Sequence, residues 1–200
     1  MSSIAIGRLL RANTAGCVIG CQVSQTEAPT FGQMVRIPLD DGSQVYGLVN
    51  EIHIDDDGLV RQLVTSADIA EEVIEDNRKN RNMPVEMSVS FIGWEKDHIL
   101  SQTRVPRPPL SLDKIFVCTD AEAAAFTSNS RFGYLRALLR NEELPAADLL
   151  TAHLRQVLQA HKKLMTGVEP ENALREVIAL LKDDYPQLMD VLSAVSEVLE

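Results

Sequence analysis

Residues 31 to 54 read FGQMVRIPLDDGSQVYGLVNEIHI, in which two apolar runs, GQMVRIPL (32 to 39) and QVYGLVNEIHI (44 to 54), flank Asp40-Asp41-Gly42. An Asp-Gly pair supplies the positive backbone angles of a tight hairpin turn, so the two runs are expected to pair antiparallel. Upstream lie IAIGRLL (4 to 10) and GCVIGCQV (16 to 23), and downstream VEMSVSFIGW (85 to 94). In the last of these Val85, Met87, Val89 and Phe91 alternate with Glu86, Ser88 and Ser90, the period of two that marks a half-buried strand. Strands this short, punctuated by glycine, close most economically into a small barrel.

Between 55 and 84 the alternation lapses. Asp55-Asp56-Asp57-Gly58 turns the chain, and LVRQLVTSADIAEEVIEDNRKNRN follows a helix-like pattern. A helical insertion near 60 to 83 is expected, with Thr65 and Asp68 spaced to cap its start; its order is left open. After the strand at 85 to 94, Val-Pro-Arg-Pro-Pro (105 to 109) holds the backbone extended and removes ladder donors, as in a strap running over the surface. LDKIFVCTD (112 to 120) offers one last short strand, and Thr119 with Glu122 has the spacing of a reciprocal helix cap before AEAAAF.

Helical periodicity then takes over. Leu135, Leu138 and Leu139 recur at helical spacing, as do Leu150, Leu154, Val157, Leu158, His161, Leu164 and Met165, then Leu174, Val177, Ile178 and Leu181, then Leu188, Leu192, Val195 and Leu199. Pro145 and Pro170 suit first helical turns, Gly167 a helix end, and Asp184 a cap before Pro186. The expected fold class is α+β: a closed antiparallel β-barrel over 1–120, then an α-helical hairpin or small bundle over 121–200. The last helix carries apolar residues on more than one side, including Leu188, Met189, Val191, Leu192 and Val195, so part of its surface is free to meet another chain.

Composition narrows the function. The chain has 200 residues, 45% of them hydrophobic, and a formal charge of -10, enough apolar material for a sizeable core. The acid excess is shared by both halves: residues 1 to 110 hold 15 acids and 10 bases, residues 111 to 200 hold 14 and 9. Neither half is a basic platform for nucleic acid. No apolar run approaches the roughly 20 residues that cross a bilayer, and the first residues do not resemble a signal peptide. A soluble, cytoplasmic protein with no membrane partner is expected.

Residues able to do chemistry are few. Cys17 and Cys21 lie on one face of a strand about 13 Å apart, too far to bond; their roles, and that of Cys118, stay open between small core residue and redox thiol. Zinc would need a second close pair of Cys or His beside Cys17 and Cys21, and none follows. His153 and His161 are eight residues apart on one helix, too far for one metal, while His53 and His98 fall near strand ends. Asp55, Asp56 and Asp57 lack the spacing and closing glutamate of a calcium loop. The basic group Arg78, Lys79 and Arg81 is largely offset by Glu71, Glu72, Glu75 and Asp76. No catalytic, cofactor-binding or metal-ligating residue is assigned, no cofactor is expected, and the chain reads as no enzyme.

The order of segments from IAIGRLL through FGQMVRIPLDDGSQVYGLVNEIHI and VEMSVSFIGW to VPRPPLSLDKIFVCTDAE resembles the HAS barrel, named for the HerA translocase and ATP synthase. Gly32, Val35, Ile37, Gly47 and Val49 hold the places of that family's G-x-x-V-x-I and G-x-V strands, and the likeness covers about residues 1 to 125. It implies a barrel that crowns a hexameric ATPase, assembling the ring and helping to dock partners such as a nuclease. The ATPase core that follows such barrels is not found in this sequence: its only glycines after residue 93 are Gly133 and Gly167 and no glycine precedes a lysine, so a phosphate-cradling P-loop cannot form. The resemblance therefore implies a non-catalytic assembly or adaptor module, with a HerA-like ATPase or nuclease as protein partner, or a homo-oligomer. The alternative is a nucleic-acid accessory protein using the barrel surface, although direct nucleic-acid contact is not expected from the charge.

Overall fold

In a computed structural model, the hairpin at residues 31 to 54 forms between β3 (Met34–Pro38) and β4 (Gln44–Ile54), antiparallel with Ile37 opposite Val45. Its turn is one residue longer than a two-residue Asp-Gly turn. Gly42 N–H donates to Leu39 O (3.1 Å), Leu39 N–H donates to Ser43 O (2.8 Å), and only Gly42 takes a positive φ, +78°. This is a type I turn closed by a left-handed glycine, in which Asp41 accepts from Ser43 N–H (3.0 Å). The described residues are 5–23, 29–54, 58, 61, 65, 70–73, 75, 83–128, 132–141, 143–167 and 170–199.

The other strands are β1 (Ala5–Ala12), β2 (Gly16–Val23), β5 (Met83–Lys96), β6 (Ile99–Ser101) and β7 (Lys114–Val117). They pair antiparallel in the order β2-β1-β7-β3-β4-β5, and β5 returns to β2 with Gly16 opposite Ser90 and Val23 opposite Met83. The result is a closed six-stranded barrel, so the fold is α+β with a barrel. Register shifts put an extra residue into β1 at Leu10, β4 at Asn50 and β5 at Ile92, bending these strands where the ring must curve. The strand β6 lies outside the ring, joined to β5 by Asp97-His98, both left-handed with φ of +50° and +62°. That turn contains no glycine, so the sequence carries no punctuation for it.

Leu9, Ile19, Val35, Ile37, Val45, Val49, Met87, Val89 and Ile115 fill the barrel, and the strap sends Val105 into the same cluster. The expected alternation along β5 holds, with Val85, Met87, Val89 and Phe91 buried. Part of the wall is apolar on its outer face too. Met34, Leu48 and Ile92 are buried beside inward-facing Val35, Val49 and Phe91, and neighbouring strand residues point to opposite faces. Burial on both sides needs a second layer.

That layer is helical: α1 (Asp120–Thr127), α2 (Leu135–Leu139), α3 (Ala146–Leu164), α4 (Pro170–Leu181) and α5 (Tyr185–Leu199). Met34, Tyr46, Leu48 and Ile92 share one apolar cluster with Phe126, Tyr134, Leu138, Leu150 and Leu154. The predicted cap of α1 is complete: Thr119 Oγ1 accepts from Glu122 N–H (3.2 Å) and Glu122 Oε2 accepts from Thr119 N–H (2.8 Å). Glu122 also pairs with Arg36 Nε at 2.7 Å, tying the helix start to β3. Gly32 decides how closely α3 approaches. Its φ is +78°, and a Cβ there would fall 2.6 Å from Ala152 Cβ. Asp184 Oδ1 accepts from Gln187 N–H (3.1 Å), the expected cap of α5.

Two expectations change. Leu164, Met165 and Ile178, placed in apolar stripes, are exposed, the first two because the chain leaves α3 through a left-handed Met165. In the insertion Arg61, Thr65, Glu71 to Val73 and Glu75 are helical, and Thr65 Oγ1 donates to Arg61 O (2.8 Å), which puts Thr65 within a helical turn rather than at its cap. The rest of the insertion, with Asp68, lies outside the described residues. Among the described residues no helix is long and apolar enough to cross a membrane.

Candidate functional site

The thiols face protein, not solvent. Cys17 and Cys21 project into the filled barrel, and Cys21 Sγ donates to Val85 O at 3.5 Å. Burial pushes Cys17 up to about 12 and raises Cys21. Cys118 packs against the helical cluster, where burial, and then the charge of Glu122, raise its thiol. None of the three offers a thiolate at neutral pH, so none is poised as a nucleophile.

The helix histidines are structural as well. His153 is fully buried, and its Nε2 shares a 2.9 Å hydrogen bond with Tyr134 Oη. Burial pushes this imidazole down to about 4, the Gly32 backbone opposing the shift only in part; Nδ1 has no well-formed hydrogen bond. His161 sits between Thr127 Oγ1 (2.8 Å) and Thr166 Oγ1 (2.6 Å), and burial lowers it too. His53 and His98 are on the surface, the latter at the tip of the β5–β6 turn. Among the described residues no three His, Cys, Asp or Glu side chains converge as metal ligands. Asp55 to Asp57 and Arg78, Lys79 and Arg81 lie outside the described residues.

A cleft of about 660 Å³ opens beside the β1–β2 turn, with Arg11, Glu51 and Glu143 at its rim. At its wall Asn50 Nδ2 donates to Ser90 Oγ (2.7 Å), while Asn50 Oδ1 has no hydrogen bond. Its charges are mixed, and the one thiol in its lining, Cys17, is held protonated by burial.

A more distinctive surface lies along the outside of β1. Leu112 has φ +73° and is 67% exposed, a left-handed backbone that costs a branched residue on the order of 1 kcal/mol or more. Hydrogen bonds on both sides hold it. Leu112 N–H donates to Leu9 O (2.8 Å), Arg8 Nη1 donates to Leu112 O (2.8 Å), and Ser111 Oγ donates to Leu10 O (3.1 Å). Leu110 N–H donates to Asp113 Oδ2 (2.8 Å) in the same turn. Leu10, Leu110 and Leu112 are all exposed, and so are Arg8, Arg11, Arg104, Arg107 and Lys114 on the same two segments. Residues 5 to 12 and 103 to 114 together hold five bases and one acid, Asp113, a net of +4 within a chain of -10.

Sequence reading passed over this strip. Its two halves are about 100 residues apart, and the pairing of β1 with β7, which sets Arg8 opposite Lys114, brings them together. The only local signal was two arginines in an otherwise apolar strand. No protein-family model and no curated protein matches the chain.

Proposed function

We propose that the chain is a non-catalytic assembly or docking module whose working surface is the outside of the barrel. One observation carries this reading: the barrel interior is occupied by side chains, while Leu110 and Leu112 stand in solvent on a strained turn that four hydrogen bonds hold to β1 and to itself, and Leu10 is exposed on the adjoining strand. A soluble surface rarely keeps exposed leucines on a pinned, strained backbone unless something covers them. The buried, protonated thiols and neutral histidines support the non-catalytic half of the reading. The likeness of residues 1 to 125 to the HAS barrel suggests the partner class, a HerA-like ATPase or nuclease, or further copies of the chain. Every strand of the closed ring is paired on both sides, so a partner would meet faces and loops rather than strand edges.

The experiment is light scattering of the purified protein, followed by affinity capture against candidate ring ATPases and nucleases. Self-association, or a stoichiometric complex with one of them, is the expected result. A strict monomer that binds none of them overturns the proposal.

The second reading, a nucleic-acid accessory protein, draws on the five bases of the strip. Phosphate binding favours cations in a hydrated setting, and leucines interleaved between them fit a protein surface better. Filter binding at low salt separates the two: no retention of single- or double-stranded DNA removes the nucleic-acid reading.

A further inference from the structure

The basic strip on β1 has a complement on the same chain. At the tip of the α4–α5 pair, Tyr185 is 68% exposed and Met189, four residues on, is exposed on the same helix face. Asp183, Asp184 and Asp190 stand exposed around them. Residues 182 to 190 at this tip hold three acids (Asp183, Asp184, Asp190) and one base (Lys182), a net of -2. Each patch thus has exposed apolar side chains and a net charge, and the two net charges are opposite in sign.

A single chain has no evident way to close this contact on itself. The helices α4 and α5 pack against α2 and α3, whereas β1 packs against β2 and β7. Resting on the assembly reading above, we propose that the strip of Leu10, Leu110 and Leu112 with its arginines binds the acidic tip of Tyr185 and Met189 in a second copy of this chain. The contact joins two different patches, so it is heterologous: each copy keeps a free strip at one end and a free tip at the other. Addition continues until a ring closes, or runs on as a filament. The apolar centres and the complementary charges together supply the affinity, and the charges also set orientation and exclude strip-to-strip or tip-to-tip pairing.

The test uses two charge-reversed full-length variants, Arg11→Glu with Arg107→Glu, and Asp183→Lys with Asp190→Lys. All four residues are exposed, and circular dichroism checks that both variants keep the native fold. Light scattering across a concentration series at low salt is expected to give assemblies for the natural chain. The assemblies should shrink toward the 22.1 kDa monomer at about 500 mM salt, where exposed charges are screened. Each variant alone should associate at least about tenfold more weakly. Mixed one to one, the variants should reassemble, because the reversed strip meets the reversed tip and the natural strip meets the natural tip.

If both variants assemble like the natural chain, this interface is wrong while the assembly reading stands. If each is monomeric and the mixture does not recover, a head-to-tail contact is excluded. A natural chain that stays monomeric at every concentration removes self-assembly and leaves only docking of other proteins. Binding of a fluorescent DNA duplex or of phosphatidylserine vesicles by the natural chain, lost in the arginine variant, would assign the strip to those anions instead and overturn the proposal.

Discussion

Gly32 and His153 meet where the β3 entry loop touches α3, and each is irreplaceable for a different reason. A side chain at Gly32 faces both a left-handed backbone and Ala152 at 2.6 Å. Gly32→Ala is therefore expected to lose about 2 to 4 kcal/mol, combining backbone strain with overpacking; urea denaturation measures it, and a loss below about 1 kcal/mol would mean that α3 moves aside freely. His153 makes stability depend on pH. Its folded value near 4 lies below the ordinary 6.5, so the unfolded chain takes up the proton first as pH falls. Its contribution is complete above about pH 6.5 and is lost progressively as pH drops toward 4, by about 3 kcal/mol in all. Denaturation midpoints between pH 7 and 4 should fall steeply in the natural chain and less steeply in His153→Gln. Equal slopes would dismiss the assignment.

At the scale of elements, the first helix shows how local chemistry and tertiary contact combine. Thr119 and Glu122 were legible as a capping box because both partners lie within four residues. The Arg36 that fastens Glu122 to the barrel was not, since it lies on β3. Thr119→Ala is expected to cost about 1 kcal/mol, the usual value of a lost cap, and Arg36→Met should add to it less than independently because both act through Glu122. A double-mutant cycle by thermal or chemical denaturation reads the coupling; strict additivity would show that the cap and the ion pair do not share Glu122. The strands β2 and β4 were legible to the residue, whereas β6 was not, because its left-handed turn at Asp97 and His98 contains no glycine to mark it.

Across the whole molecule, helices and barrel share the cluster formed by Met34, Tyr46, Leu48, Ile92, Phe126 and Tyr134. Removing residues 121 to 200 would strip the cover from the outer side of the β3–β4–β5 wall. Trp94, the only tryptophan, reports on the barrel, and ellipticity at 222 nm reports chiefly on the helices. The two signals are expected to change together in one transition on denaturation, and a chain ending at residue 120 should aggregate or unfold. Separate transitions, or a stable truncated barrel, would mean that the shared cluster contributes little.

The sequence by itself determined where strands stop and helices begin, because turn residues, caps and hydrophobic period act over a few positions and leave their mark there. Only the tertiary structure decided that one barrel wall is apolar on both faces, that His153 is buried neutral against Tyr134, and that Arg8, Leu10, Leu112 and Lys114 make one strip. Periodicity records that a residue is buried, not which partner buries it. Contacts between residues a hundred positions apart exist only once the ring has closed.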